Sequence, residues 1–280
     1  MLDILFDAII DSLKTLPFLF GAYLLIEFLE HKASGPMAGM LSRLGPLGPL
    51  GGAALGCVPQ CGFSVAAANF YAGRLITPGT LLAVFLATSD EALPILLSRP
   101  DAAGVLGPLL GVKLAAGTAA GILTDIVCTR FLKRRQAEPF HELCEDCGCE
   151  EKGVLRSALG HTVKIFLFLL VVNLLLNGAM ELVGEETISR LLLSGSVFQP
   201  LLAALIGFIP NCAASVILTE LYLSGSLSFG AAVAGLCTGA GLGLLVLFKV
   251  NRNWKENLSI AGVLYAAAAV TGTICQLALS

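Results

Sequence analysis

The sequence predicts an all-α polytopic membrane protein made of two inverted-topology repeats, each combining transmembrane helices with a Pro-broken helical hairpin. Composition, an internal repeat and the placement of basic residues predict it. Of 280 residues, 56% are hydrophobic and 13% are charged, with a mean hydropathy of +0.86. Soluble domains carry about 25% charged residues. Apolar segments at 15–30, 79–98, 104–129, 162–180, 230–248 and 258–279 each approach or exceed the ~20 residues that cross the hydrocarbon core as a helix. Counting hairpin arms as segments gives about ten hydrophobic helical segments, five in each half.

The same composition excludes several classes. A net charge of −3, with no basic stripe interleaved with aromatics, argues against nucleic acid as a partner. Asp3, Asp7 and Asp11 stand where a signal peptide would be basic, so no cleaved leader is expected. Most of the nine cysteines lie in apolar segments and do not form a disulfide framework.

The repeat comes from sliding the chain by 151 residues, which lays "PLGGAALGCVPQCGFSVAAANFYAGRLITPG" over "PLLAALIGFIPNCAASVILTELYLSGSLSFG". Pro49/Pro200, Gly56/Gly207, Pro59/Pro210, Cys61/Cys212, Ser64/Ser215, Val65/Val216, Tyr71/Tyr222 and Gly79/Gly230 coincide, and Gln60 faces Asn211. Chance matches leucines, but not proline, amide, cysteine, serine and tyrosine in register. The chain therefore divides into a first membrane repeat (1–131), a His/Cys-rich linker (132–157) and a second membrane repeat (158–280). Duplication of this kind is the usual construction of a secondary transporter.

The elements follow in order. The first helix, 15–30, closes on Glu27, Glu30 and His31; Glu27 and His31 share a helix face, which suits a cation entry site or an interfacial charge cluster. Segment 46–73 is broken at "PQCG" into two arms too short for a comfortable span, and as a hairpin it leaves Lys32, Arg43 and Arg74 on one side. Helix 78–98 carries Thr88, Ser89, Asp90 and Glu91, and helix 104–130 carries Lys113 at a depth matched to Asp90. Antiparallel neighbours at equal depth pair charges, and the spare carboxylate is a candidate for proton coupling. Lys133, Arg134 and Arg135 make the linker cytoplasmic, which leaves both termini external. In the second half, 198–224 is the matching hairpin and carries no Lys or Arg, while "CTGAGLGLL" (237–245) reads as a close-packing surface.

Broken helices at membrane depth are tolerated only where protein or a watery cavity surrounds them. The candidate pathway is therefore Gln60, Cys61 and Ser64 with Asn211, Cys212 and Ser215, plus Ser89, Asp90, Glu91 and Lys113. Cys61 and Cys212 would offer two sulfurs to a soft ion, or fill tight crossings as small apolar residues. Cys57, opposite Phe208, is a ligand of one half or plain core. The linker's "HELCEDCGCEE" places His141, Cys144, Cys147 and Cys149 at metal-ligand spacing, suited to zinc, copper(I) or arsenic(III) capture. No cofactor is required.

"LPFLFGAYLLIEFLEHKA", "PQCGFSVAAANFYAGR", "FLATSDEALPILLS" and "IPNCAASVILTELY" resemble a prokaryotic family of ten-transmembrane heavy-metal exporters. Its members are labelled arsenic efflux proteins or manganese transporters, and the resemblance covers the whole chain. It implies a metal or metalloid ion as substrate, with the bilayer as surroundings; no nucleotide-binding loop occurs, so an ion gradient, protons included, is the expected energy source. Thiols favour arsenite or a soft divalent metal, whereas the carboxylates suit manganese. The competing readings are an anion or organic-acid carrier of hairpin design, a channel, or a membrane thiol-redox protein; a homo-oligomer is compatible with all of them.

Overall fold

The computed structural model describes residues 47–58, 61–89, 92–98, 103–131, 198–210 and 212–279, with scattered positions between 13 and 24 and between 155 and 175. Among the described residues helices are the only regular elements. The first half contains α1 (Gly48–Gly56), α2 (Cys61–Ala72), α3 (Pro78–Ala87), α4 (Ala92–Ser98) and α5 (Ala103–Phe131). The second contains α6 (Gln199–Gly207), α7 (Cys212–Leu223), α8 (Phe229–Thr238), α9 (Leu242–Val250) and α10 (Trp254–Leu279). Both ends of α1, α2 and α3 lie 151 residues before those of α6, α7 and α8. This is the shift that aligns the sequence, so the duplication extends to local structure.

Details repeat at the same shift. Thr77 caps α3 by accepting from the Thr80 amide, and Ser228 caps α8 by accepting from the Ala231 amide; such caps satisfy amides that a helix start leaves unpaired. A side chain on Gly79 would strike Gly121 and Asp125, and one on Gly230 would strike Gly272 and Gln276. Small residues let the backbones of α3 and α5, and of α8 and α10, touch, which is how helices associate where no hydrophobic force drives them together.

These contacts also fix directions. Gly52 approaches Thr80 and Val84, and Gly56 approaches Val84 and Ala87, so α1 runs parallel to α3. Likewise Gln199 bonds to Ser226 and Ser228, and Thr238 Oγ1 bonds to Ala204 O at 2.7 Å, so α6 runs parallel to α8. In contrast, α7 runs against α8: Leu227 N bonds to Leu221 O, Leu218 lies over Gly235, and Ser215 lies beside Gly239. It follows that α6 and α7 are antiparallel arms.

Among the described residues, four stretches are long and apolar enough to cross a membrane: Pro78–Leu97, Gly104–Cys128, Phe229–Val250 and Trp254–Ala278. Their burial separates them, at 75% and 78% for the first and third against 22% and 28% for the other two. Thus α3–α4 and α8–α9 form the interior, while α5 and α10 turn apolar side chains such as Leu123, Val127, Val270 and Ile274 outward, as lipid contact requires.

The two inner spans differ from the continuous helices expected at 78–98 and 230–248. The first stops at Ala87, with Thr88 and Ser89 outside any helix, and is helical again over Ala92–Ser98. Pro94 sits in the opening turn of α4, where continuing the helix would press its ring on the carbonyl four residues back. Thr88 and Ser89 turn their hydroxyls onto Val84 O and Ala87 O, covering carbonyls at the end of α3. The second stops at Thr238 and resumes at Leu242, with Gly241 at φ +54°, a conformation that favours glycine. The "CTGAGLGLL" stretch is therefore a helix break as well as a packing surface.

Candidate functional site

In each half the end of the first arm and the span break are neighbours. Gly56, at the end of α1, lies against Val84 O and Ala87, just before the break at Thr88. At the end of α6, Gly207 lies against Thr238, just before the break at Gly239. Ser64 of α2 is fully buried, with Gly243 of α9 so close that a Cβ there would stand 2.7 Å from the Ser64 Cβ. Ser215 Oγ is correspondingly beside Gly239. Two hairpin arms and two broken spans thus meet inside the protein.

Lys113 ties this meeting point together. It is 0% exposed, and its Nζ donates to Thr88 O at the end of α3 and to Leu236 O in the last turn of α8 at 2.8 Å. Helix C-terminal carbonyls carry partial negative charge, so an ammonium is well placed between two of them. One side chain of the first half thereby bridges broken spans from both halves. Cys237, the residue after Leu236 on α8, is fully buried.

Of the expected participants, Ser64, Ser215, Ser89 and Lys113 lie at the span breaks or at the crossings beside them. Ser89 is 2% exposed and bonds to its own chain at Ala87 O. Gln60, Asn211, Asp90, Glu91, Glu27, Glu30 and His31, the side chains of Cys61 and Cys212, and the linker ligands His141, Cys144, Cys147 and Cys149 lie outside the described residues. Among the described residues no group of three His, Cys, Asp or Glu side chains is disposed to hold a metal. Sequence reasoning missed the Thr88 and Leu236 carbonyls, which every residue possesses and no residue type signals. It also missed Cys237, whose apolar surroundings hid its position.

A second polar cluster sits at the end where α10 begins. Arg74 Nη1 and Nη2 donate to Glu256 Oε1 at 2.7 Å and Oε2 at 3.3 Å, and Tyr71 OH also donates to Oε1. Asn253 Nδ2 donates to Oε2 at 3.2 Å. The Glu256 carboxylate raises the Arg74 pKa above its ordinary value through this hydrogen bonding. Below it, Asn251 and Asn257 bond to each other in the buried α9–α10 corner. Asp125 accepts from Thr77 Oγ1 at 2.7 Å and from the Gly79 amide at 2.8 Å.

Comparison with curated proteins and with solved structures gives no match for the chain. Residues 172–279, which include α6 to α10, match the model of a family described as "Putative, 10TM heavy-metal exporter", the same class that the motifs resemble.

Proposed function

We propose that the chain is a secondary transporter that exports a heavy-metal or metalloid ion by alternating access between two inverted halves. Arsenite or a soft divalent metal is favoured and manganese is the oxygen-donor alternative. The observation that carries this reading is the Lys113 bridge between two spans broken at equivalent points. Transporters bind their cargo where discontinuous helices meet near the midplane, and the family matched by the second half is an exporter family, not an enzyme class.

Inversion is supported by where α10 begins and ends. It begins at Glu256 beside Arg74, at the end of the molecule where α3 starts and Asp125 of α5 lies. It ends at Gln276 beside Ser228, where α8 starts. The spans α3–α4 and α8–α9 therefore start from opposite ends. Arg74, Lys249, Arg252 and Lys255 cluster around the first of these ends, which the positive-inside rule assigns to the cytoplasm together with the linker. Both hairpins then re-enter the bilayer from opposite sides, and both termini are external.

In this scheme Gln60, Cys61 and Ser64 face Asn211, Cys212 and Ser215 across the cargo path. Lys113 fixes the ends of the broken spans, and Asp90 or Glu91 carries the coupling proton. Glu27, Glu30 and His31 guard entry, and His141, Cys144, Cys147 and Cys149 capture metal. Everted vesicles test the reading by uptake of arsenite, manganese, zinc and cadmium with and without a proton gradient. Concentrative uptake of one of them, lost in Cys61→Ser with Cys212→Ser, is expected. Uptake of organic anions alone would replace it with the anion-carrier reading.

A further inference from the structure

We propose that the Arg74–Glu256 pair is a latch that holds the α2–α9 seam shut at the basic end of the molecule and so regulates access to the site from that side. The proposal rests on the transport reading for its purpose but on separate contacts for its existence.

Arg74 is the only non-glycine residue with positive φ among the described residues, at +57°. Its repeat counterpart is Gly225, at φ +76°. This turn therefore needs a left-handed residue, and glycine meets that need without strain. The first half nevertheless carries arginine there. A side chain kept in a costly conformation points to something that the side chain does. Here it forms a two-pronged pair with Glu256, a geometry that arginine makes and lysine does not, and its Cζ stands 5.5 Å from the centre of the Tyr71 ring.

The pair crosses between halves. Tyr71 lies in the last turn of α2 and Arg74 in the turn that follows it, whereas Glu256 opens α10 and is braced by Asn253 at the α9–α10 corner. Deeper along the same seam, Ser64 of α2 packs on Gly243 of α9. The second half thus grips α2 at the level of the site and again at the basic end. The repeat does not copy this pair: the counterparts of Arg74 and Glu256 are Gly225 and Val105, and Tyr222 packs edge-on to Phe229 at 6.0 Å. Among the described residues, the packing repeats in both halves while the Arg74–Glu256 pair joins them at the basic end. Side chains exposed by 41% and 26% leave the pair within reach of water, so it can open and close rather than act as a buried rivet.

The test reads the seam directly and needs no cargo. Ala68 is fully buried on α2, one turn from both Ser64 and Tyr71, and Ala68→Cys places a thiol there. In the full chain in everted vesicles, its reaction with a membrane-impermeant maleimide is measured against the parent lacking that thiol. With the latch intact, labelling is expected to be slow. Arg74→Gly, which also removes the backbone strain, and Glu256→Gln should each speed it by about tenfold. The exchange Arg74→Glu with Glu256→Arg should restore part of the protection. Unchanged rates in Arg74→Gly and Glu256→Gln would overturn the latch, as would an equal acceleration by Tyr222→Phe at the other end. If no ion is transported yet the rates change as stated, the latch stands and the transport reading falls. Should one single variant fail to fold, the other decides.

Discussion

Where the first half turns from α2 into α3 it carries Arg74, Thr77 and a partner carboxylate at Asp125; the equivalent turn from α7 into α8 carries Gly225, Ser228 and Gln276. The backbone path, the caps and the glycine crossings coincide, while the charges fall on one side of the comparison. Lys113 continues the pattern, since its counterpart is Leu264. Packing keeps its two copies because each half must solve the same problem of bringing backbones into contact in lipid. Ionic groups are expensive there, and one copy of each suffices to bias a pair of halves.

The largest effect is expected from copying the second half's solution into the first with Lys113→Leu. It leaves two buried carbonyls without this donor, at ~1–3 kcal/mol each. The thermal midpoint in detergent should fall and transport should cease, while Lys113→Arg keeps a cation and much of the stability. An unshifted midpoint in Lys113→Leu would mean that the bridge contributes nothing.

Next come the crossings. Gly79→Leu and Gly230→Leu should each cost about 1–3 kcal/mol or more by overpacking and should do so nearly equally. A large inequality in the two midpoints would break the claim that the halves share a frame. Asp125→Ala and Gln276→Ala should instead diverge. Asp125 makes two bonds at 2.7 and 2.8 Å, whereas the Gln276–Ser228 contact is 3.5 Å. Hydrogen bonds to charged groups contribute ~1.5–3 kcal/mol, so Asp125→Ala should be the more damaging in denaturant titrations; parity would count against that role.

The smallest effect sharpens the contrast at the turn itself. Gly225→Ala should lower stability by about 1 kcal/mol, because its φ of +76° disfavours a Cβ. No loss would show that the turn does not require a left-handed residue.

Much of this frame is legible in the sequence. The register of Pro, amide, Cys, Ser and Tyr predicts the repeat, and α1 to α3 with α6 to α8 fall at the spacing it specifies. The breaks in the inner spans are less legible. Thr88, Ser89 and the glycines at 239 and 241 pass in a hydropathy reading as ordinary helix, although Pro94 is a usable signal. Lys113 pairs with Asp90 on depth alone, yet its described partners are carbonyls, which leave no mark in a sequence. The contact between Arg74 and Glu256 joins residues far apart in the chain; its one local trace is an arginine where the repeat has glycine.

The seat of Gly243 on Ser64 has a consequence for biosynthesis. Within each half, the three helices that touch through glycine are close in the chain and can assemble as they leave the ribosome. The α2 arm cannot complete its packing then, because α9 is made only after the linker and most of the second half. A first half released alone would present the Ser64 face of α2 without its partner. Cutting the chain in the linker and supplying both pieces together gives that face its match.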